Sequence, residues 1–115
     1  MRPIIGITMG DAAGVGSEII LKALQSSDIY QQSRPLVIGD AKLLKREAEN
    51  IKASLEFNII KDPSEGIYET GTIDCIDLDL LPVNLPYGEV SAEAGHAAFC
   101  FIKEAVTLAV EKKID

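Results

Sequence analysis

The residues with the clearest chemical potential lie near the amino terminus. Gly10, Asp11, Gly14, Gly16 and Glu18 fall within I-I-G-I-T-M-G-D-A-A-G-V-G-S-E, residues 4–18, where an apolar strand breaks into a glycine-rich turn and then a helix. Glycine opens backbone angles closed to other residues. A helix beginning near Gly16 to Glu18 aims unpaired N–H groups and the positive end of its dipole at that turn, an arrangement that favours phosphate or carboxylate. Asp11 beside the turn has the reach to hydrogen-bond a ribose, to hold loop backbone or to orient a basic partner, and equally suits simple turn stabilisation. Glu18 reads as a first-turn acid favoured by the helix dipole.

The spacing excludes two common glycine loops. A P-loop needs G-x-x-x-x-G-K-[ST], and no lysine follows Gly14 or Gly16; a dinucleotide fingerprint needs G-x-G-x-x-G, and Ile19 stands where its third glycine belongs. The same glycines also suit a plain strand-to-helix turn. His96 is the sole histidine, and in the first turns of the long helix it reads as a surface or capping residue. Asp74, Asp77 and Asp79 carry the hard donors that divalent cations prefer. Asp77 and Asp79 alternate with Ile76, Leu78 and Leu80, however, so the run reads as the solvated surface of a half-exposed strand edge. Cys75 and Cys100 are isolated, with no C-x-x-C pair, and read as small buried apolar residues instead of a disulfide.

The elements that must position these residues alternate. Strands are expected at Ile4–Ile7, Pro35–Asp40, Phe57–Ile60 and Ile73–Leu78; helices at Glu18–Gln25 and Ala41–Lys52, with a helical turn at Asp28–Gln32. The order β-α-β-α-β implies an α/β fold, a doubly wound, mostly parallel sheet with flanking helices. Pro82 and Pro86 mark an irregular connection to a last helix that Ser91 can cap and that runs to about Lys112. Lys103, Thr107 and Glu111 form its polar face; Phe99, Ile102, Val106, Ala109 and Val110 point elsewhere, so one broad face is expected to be buried. The chain then stops at Asp115 with nothing returning to the sheet.

Composition bounds the function classes. The 115 residues are 47% hydrophobic, enough for one domain with a real core. Mean hydropathy is +0.15. Eleven basic against eighteen acidic residues give a net charge of -7, which argues against nucleic acid as a partner. No run of 18 apolar residues exists, and Met1-Arg2-Pro3 leads into the first strand instead of a signal-peptide core, so a soluble, cytoplasmic protein is expected.

T-M-G-D-A-A-G-V-G-S-E resembles the G-D-P-A-G-I-G-P-E opening of the 4-hydroxythreonine-4-phosphate dehydrogenase family, the PdxA-type enzymes of pyridoxal phosphate biosynthesis and their sugar-acid relatives. It also echoes G-D-G-I-G-P-E of the isocitrate and isopropylmalate dehydrogenases, which share that fold. Gly88-Glu89-Val90-Ser91-Ala92-Glu93-Ala94-Gly95 is similar to the family's G-x-x-S-A-x-x-G before a long helix. Ala12 and Ser17 stand where the biosynthetic enzymes carry prolines; Ser17 is expected to compensate in part by capping the helix start. The G-D-A-A-G variant leans toward relatives acting on phosphorylated four-carbon sugar acids.

The resemblance implies that residues 1–115 are the amino-terminal third of a two-domain enzyme. It further implies NAD-dependent oxidation and decarboxylation of a phosphorylated hydroxy acid, a divalent metal cofactor and a homodimer. Gly10, Asp11, Gly14 and Gly16 would then form one wall of the NAD cleft. The metal-binding histidines, the phosphate-gripping lysine and arginine, and the catalytic residues would lie beyond this chain, leaving it inactive alone. A phosphate- or nucleotide-binding module, or a noncatalytic interaction domain docking through its last helix, are the alternatives.

Overall fold

The computed structural model of the chain describes residues 2–10, 15–82, 84–86, 88 and 92–115. Strand β1 (Ile4–Thr8) is followed by helices α1 (Gly16–Ala23) and α2 (Ser27–Gln32). Strand β2 (Arg34–Gly39), helix α3 (Ala41–Asn50), strand β3 (Glu56–Ile60), a 3-10 turn (Pro63–Glu65), strand β4 (Thr72–Asp77) and helix α4 (Ala92–Val110) complete it. The four strands form one sheet in the order β1-β2-β4-β3. Every neighbouring pair is parallel. This is the expected α/β architecture, a parallel sheet with flanking helices. Among the described residues no helix is long and apolar enough to cross a membrane.

The order of the strands overturns one expectation. Because the chain steps from β2 over to β3 and then back, β4 is inserted between β2 and β3 and is central, not an edge. Leu36, Val37 and Ile38 of β2 and Ile73 and Cys75 of β4 are accordingly fully buried. Asp74 is buried with them, at 1% exposure. Its carboxylate accepts from the Ile67 and Tyr68 backbone N–H groups at 2.9 and 2.8 Å and from Asn58 Nδ2 at 2.8 Å. It therefore pins the long β3–β4 connection and is not solvated surface; only Asp79 is exposed.

Both longer helices end where the sequence offers no glycine. Lys52 and Lys112 take left-handed backbone, φ 57° and 62°. Ala53 N–H then donates to Ala48 at 2.9 Å and Lys113 N–H to Leu108 at 2.9 Å, while Lys52 and Lys112 donate to Glu49 and Ala109. That pair of reversed bonds satisfies the orphan carbonyls and stops each helix two residues before the sequence suggests. The reversal at Lys112 also brings the chain back to the sheet, contrary to expectation. Ile114 is buried against Gly6, and Asp115 N–H donates to the Ile4 carbonyl at 2.9 Å while its carboxylate accepts from Ile4 N–H at 2.8 Å.

Helix α4 packs on β1 and β2 through Ala94, Ala97, Phe101 and Leu108. Its other apolar side chains are not buried as the sequence suggests: Phe99 is 62% exposed, Ile102 53%, Val106 56% and Val110 76%. The proposed cap, Ser91, lies outside the described residues.

Candidate functional site

In an open parallel sheet, ligands settle outside the carboxyl ends of the strands. Here three exits meet, Met9–Gly10 after β1, Gly39–Asp40 after β2 and Leu78 after β4. Met9 N–H donates to the Ile38 carbonyl at 3.0 Å and Leu78 N–H to the Gly39 carbonyl at 2.9 Å, so the strands stay paired to their last residues. Met9 is buried against Gly39, where a Cβ would lie 2.7 Å from that of Met9. Only glycine lets the two exits approach so closely.

The glycine turn begins at Gly10, whose φ of +72° is left-handed and whose missing side chain would meet nothing within 4 Å. Its glycine is required by conformation, not by space. Gly16 is the reverse case: no unusual φ, but a Cβ would sit 2.7 Å from the Met9 carbonyl oxygen. The start of α1 is thereby pressed against the end of β1. Asp11 and Gly14, the other two residues expected in the cofactor wall, lie outside the described residues.

Ser17 does not cap α1. Val15 occupies the cap position with no side-chain capping bond, and Ser17 is the second helical residue, buried, with no hydrogen-bond partner for its Oγ among the described residues. A hydroxyl removed from water without a partner is costly. Among the described residues no side chain caps this helix start, whose first-turn donors are the kind an anion uses. Glu18 keeps its plain role, an exposed ion pair with Lys22 at 3.4 Å.

Sequence reasoning missed Asp40, reading it only as the last residue of an expected strand. It is fully buried and precedes α3, yet its carboxylate does not cap that helix. Oδ2 accepts from the Leu80 and Leu81 N–H groups at 3.0 and 2.9 Å, and both oxygens accept from Lys42 Nζ at 3.0 and 3.1 Å. Lys42 also bonds Asp79. Burial alone would push the Lys42 ammonium down, but the hydrogen bonds to Asp79 and Asp40 hold it above its ordinary value. The capping bond to α3 comes instead from β4, with Asp77 Oδ1 accepting from Ala41 N–H at 3.1 Å. The only sequence signal for Asp40 was an aspartate between a fully apolar strand and a helix.

The remaining candidates separate cleanly. His96 is exposed on α4 with Nε2 3.5 Å from Cys100 Sγ, and Cys100 is half-buried, not buried as expected. Cys75 is buried, and burial pushes its thiol up to about 12. Among the described residues, no group of three or more His, Cys, Asp or Glu side chains could hold a metal ion. Both oxygens of Asp40 and Oδ1 of Asp77 and of Asp79 are engaged by Lys42 or backbone N–H groups.

The chain as a whole matches known proteins. The family described as pyridoxal phosphate biosynthetic protein PdxA matches over residues 31–115. The chain belongs to the PdxA family. Its relatives include a D-threonate 4-phosphate dehydrogenase of Cupriavidus necator, 49% identical over 113 residues, a match covering 98% of this chain and 34% of the relative. Among solved structures, a 4-hydroxythreonine-4-phosphate dehydrogenase from Burkholderia phymatum superposes with TM-score 0.97 at 55% identity, covering all of this chain and 35% of that one. A 4-hydroxythreonine-4-phosphate dehydrogenase from Klebsiella pneumoniae gives 0.90 at 40%, covering 99% and 35%. The chain thus spans about a third of the length of the PdxA-family proteins it matches.

Proposed function

We propose that the chain is the amino-terminal part of an NAD-dependent dehydrogenase acting on a four-carbon hydroxy acid phosphorylated at its far end. The observation that carries this reading is the 49% identity, along nearly the whole chain, to a D-threonate 4-phosphate dehydrogenase. NAD would supply the hydride acceptor: the carbon bearing the secondary hydroxyl would give up its hydrogen as hydride and the hydroxyl its proton, and the resulting β-keto acid would lose carbon dioxide. This chain's share is positional. The turn at Gly10 and the uncapped start of α1, with the Ser17 hydroxyl beside it, offer backbone donors to a phosphate or carboxylate at the β1 exit.

A divalent metal belongs to the same proposal, but the described residues do not fit one. With one histidine in the sequence and the carboxylates of Asp40 and Asp77 already engaged, its ligands would come from outside residues 1–115. A cytoplasmic homodimer is the proposed setting. The test is the purified full-length gene product offered 4-phospho-D-threonate and 4-hydroxythreonine 4-phosphate with NAD, with and without added divalent cations. NADH formation with either is expected; none with both, across a metal titration, would end the proposal.

A further inference from the structure

Helix α4 carries two apolar stripes, and only one has a partner. Ala94, Ala97, Phe101 and Leu108 sit on β1 and β2, while Phe99, Ile102, Val106 and Val110 recur at spacings of three and four residues on a face turned to water. A helix apolar on both sides is the pattern of one buried on both sides. His96, Lys103, Glu104, Thr107 and Glu111 line one edge between the stripes, while Phe99, Ile102, Val106 and Val110 run together unbroken by charge, and contiguous apolar patches of this kind mark contact sites.

We infer that the exposed stripe of α4 is an internal docking face, covered in the full-length protein by a segment of the same polypeptide that follows Asp115. This rests on the reading of the chain as the amino-terminal part of a longer enzyme. Relatives matching along 98–100% of these residues carry roughly twice as much additional chain. The end of the chain is also on the right side of the sheet. Ile114 is buried at Gly6 of β1, the strand on which α4 lies, and Asp115 is hydrogen-bonded to Ile4, so a continuing chain leaves beside α4. A second copy is a poorer occupant of this stripe: each side of a stable two-copy interface contributes about 20–30 residues, against four large side chains here.

The experiment uses the full-length protein with its native cysteines, Cys75 and Cys100 among them, replaced by alanine and single cysteines introduced as Ile102→Cys, Val106→Cys and, on the polar face, Thr107→Cys. The rate of modification by a maleimide reagent is measured on the native protein, with its mass from sedimentation. Cysteines at 102 and 106 are expected to react at least tenfold more slowly than that at 107, at every protein concentration. Equal rates would overturn the inference, because the stripe would face water. Protection that disappears on dilution, together with a fall in mass, would assign the face to a second copy and overturn it equally. Val106→Glu adds a second readout: a melting temperature lowered by several degrees at unchanged mass supports internal docking, and an unchanged one contradicts it. NADH formation by the same cysteine variants is read separately, so a protein with a covered stripe and no dehydrogenase activity would sink the functional reading alone.

Discussion

Two glycines six residues apart are glycine for different physical reasons. Gly10 needs a left-handed backbone with open space around it, so Gly10→Asn should cost under about 1 kcal/mol and Gly10→Val about 2 kcal/mol. At Gly16 the obstacle is the Met9 carbonyl, so even Gly16→Ala should cost about 1–3 kcal/mol by overpacking, despite the better helix propensity of alanine. Urea denaturation of the three variants separates the two causes. Asp40 is the other residue on which the carboxyl edge depends. Asp40→Ala strands two backbone N–H groups and Lys42, and a loss of about 3 kcal/mol or more in the same measurement is expected. Of these residues the glycines were legible in the sequence, because turn chemistry is local. Asp40 was not, since its partners Leu80 and Leu81 lie forty residues away.

At the level of elements, strand and helix positions followed from apolar runs and periodicity, which depend on near neighbours alone. Boundaries shifted where the stop signal was not glycine. Lys52 and Lys112 hold left-handed backbone that L-residues adopt at a cost of roughly 1–2 kcal/mol. Replacing exposed Lys52 by glycine should therefore raise stability by about 1 kcal/mol, after the greater freedom of glycine in the unfolded chain is set against it. Thermal denaturation of K52G against the parent checks this, and a destabilised K52G would show that the lysine side chain contributes something beyond the cap. The same reasoning explains the misread β4. Its aspartates alternate as on an edge strand, but pairing on both sides places Asp74 under the 61–71 connection, where three donors satisfy it.

For the molecule as a whole, buried neutral acids set an alkaline limit. Burial, with Asp74 adding to it, pushes Tyr30 and Tyr68 from 10.0 up to about 12, and burial pushes Cys75 from 9.0 up to about 12. In each case the folded state holds its proton where the unfolded chain has released it. Stability should be fully present below about pH 9, begin to fall as Cys75 enters its window, and fall further between pH 10 and 12 as the tyrosines join it. Melting temperature against pH, with tyrosinate absorbance on the native protein, checks both the window and its sign. The sequence by itself determined the α/β class, the glycine turn at the end of the first strand and, through two motifs, the family, because each resides in short segments whose geometry is set by adjacent residues. Only the tertiary structure decided that β4 lies inside the sheet, that Asp40 ties the exit of β2 to the segment after β4, that Asp115 returns to β1, and that one apolar face of α4 stays uncovered by residues 1–115. Those depend on contacts between residues distant along the chain, where strand order and packing, not local pattern, choose the partners.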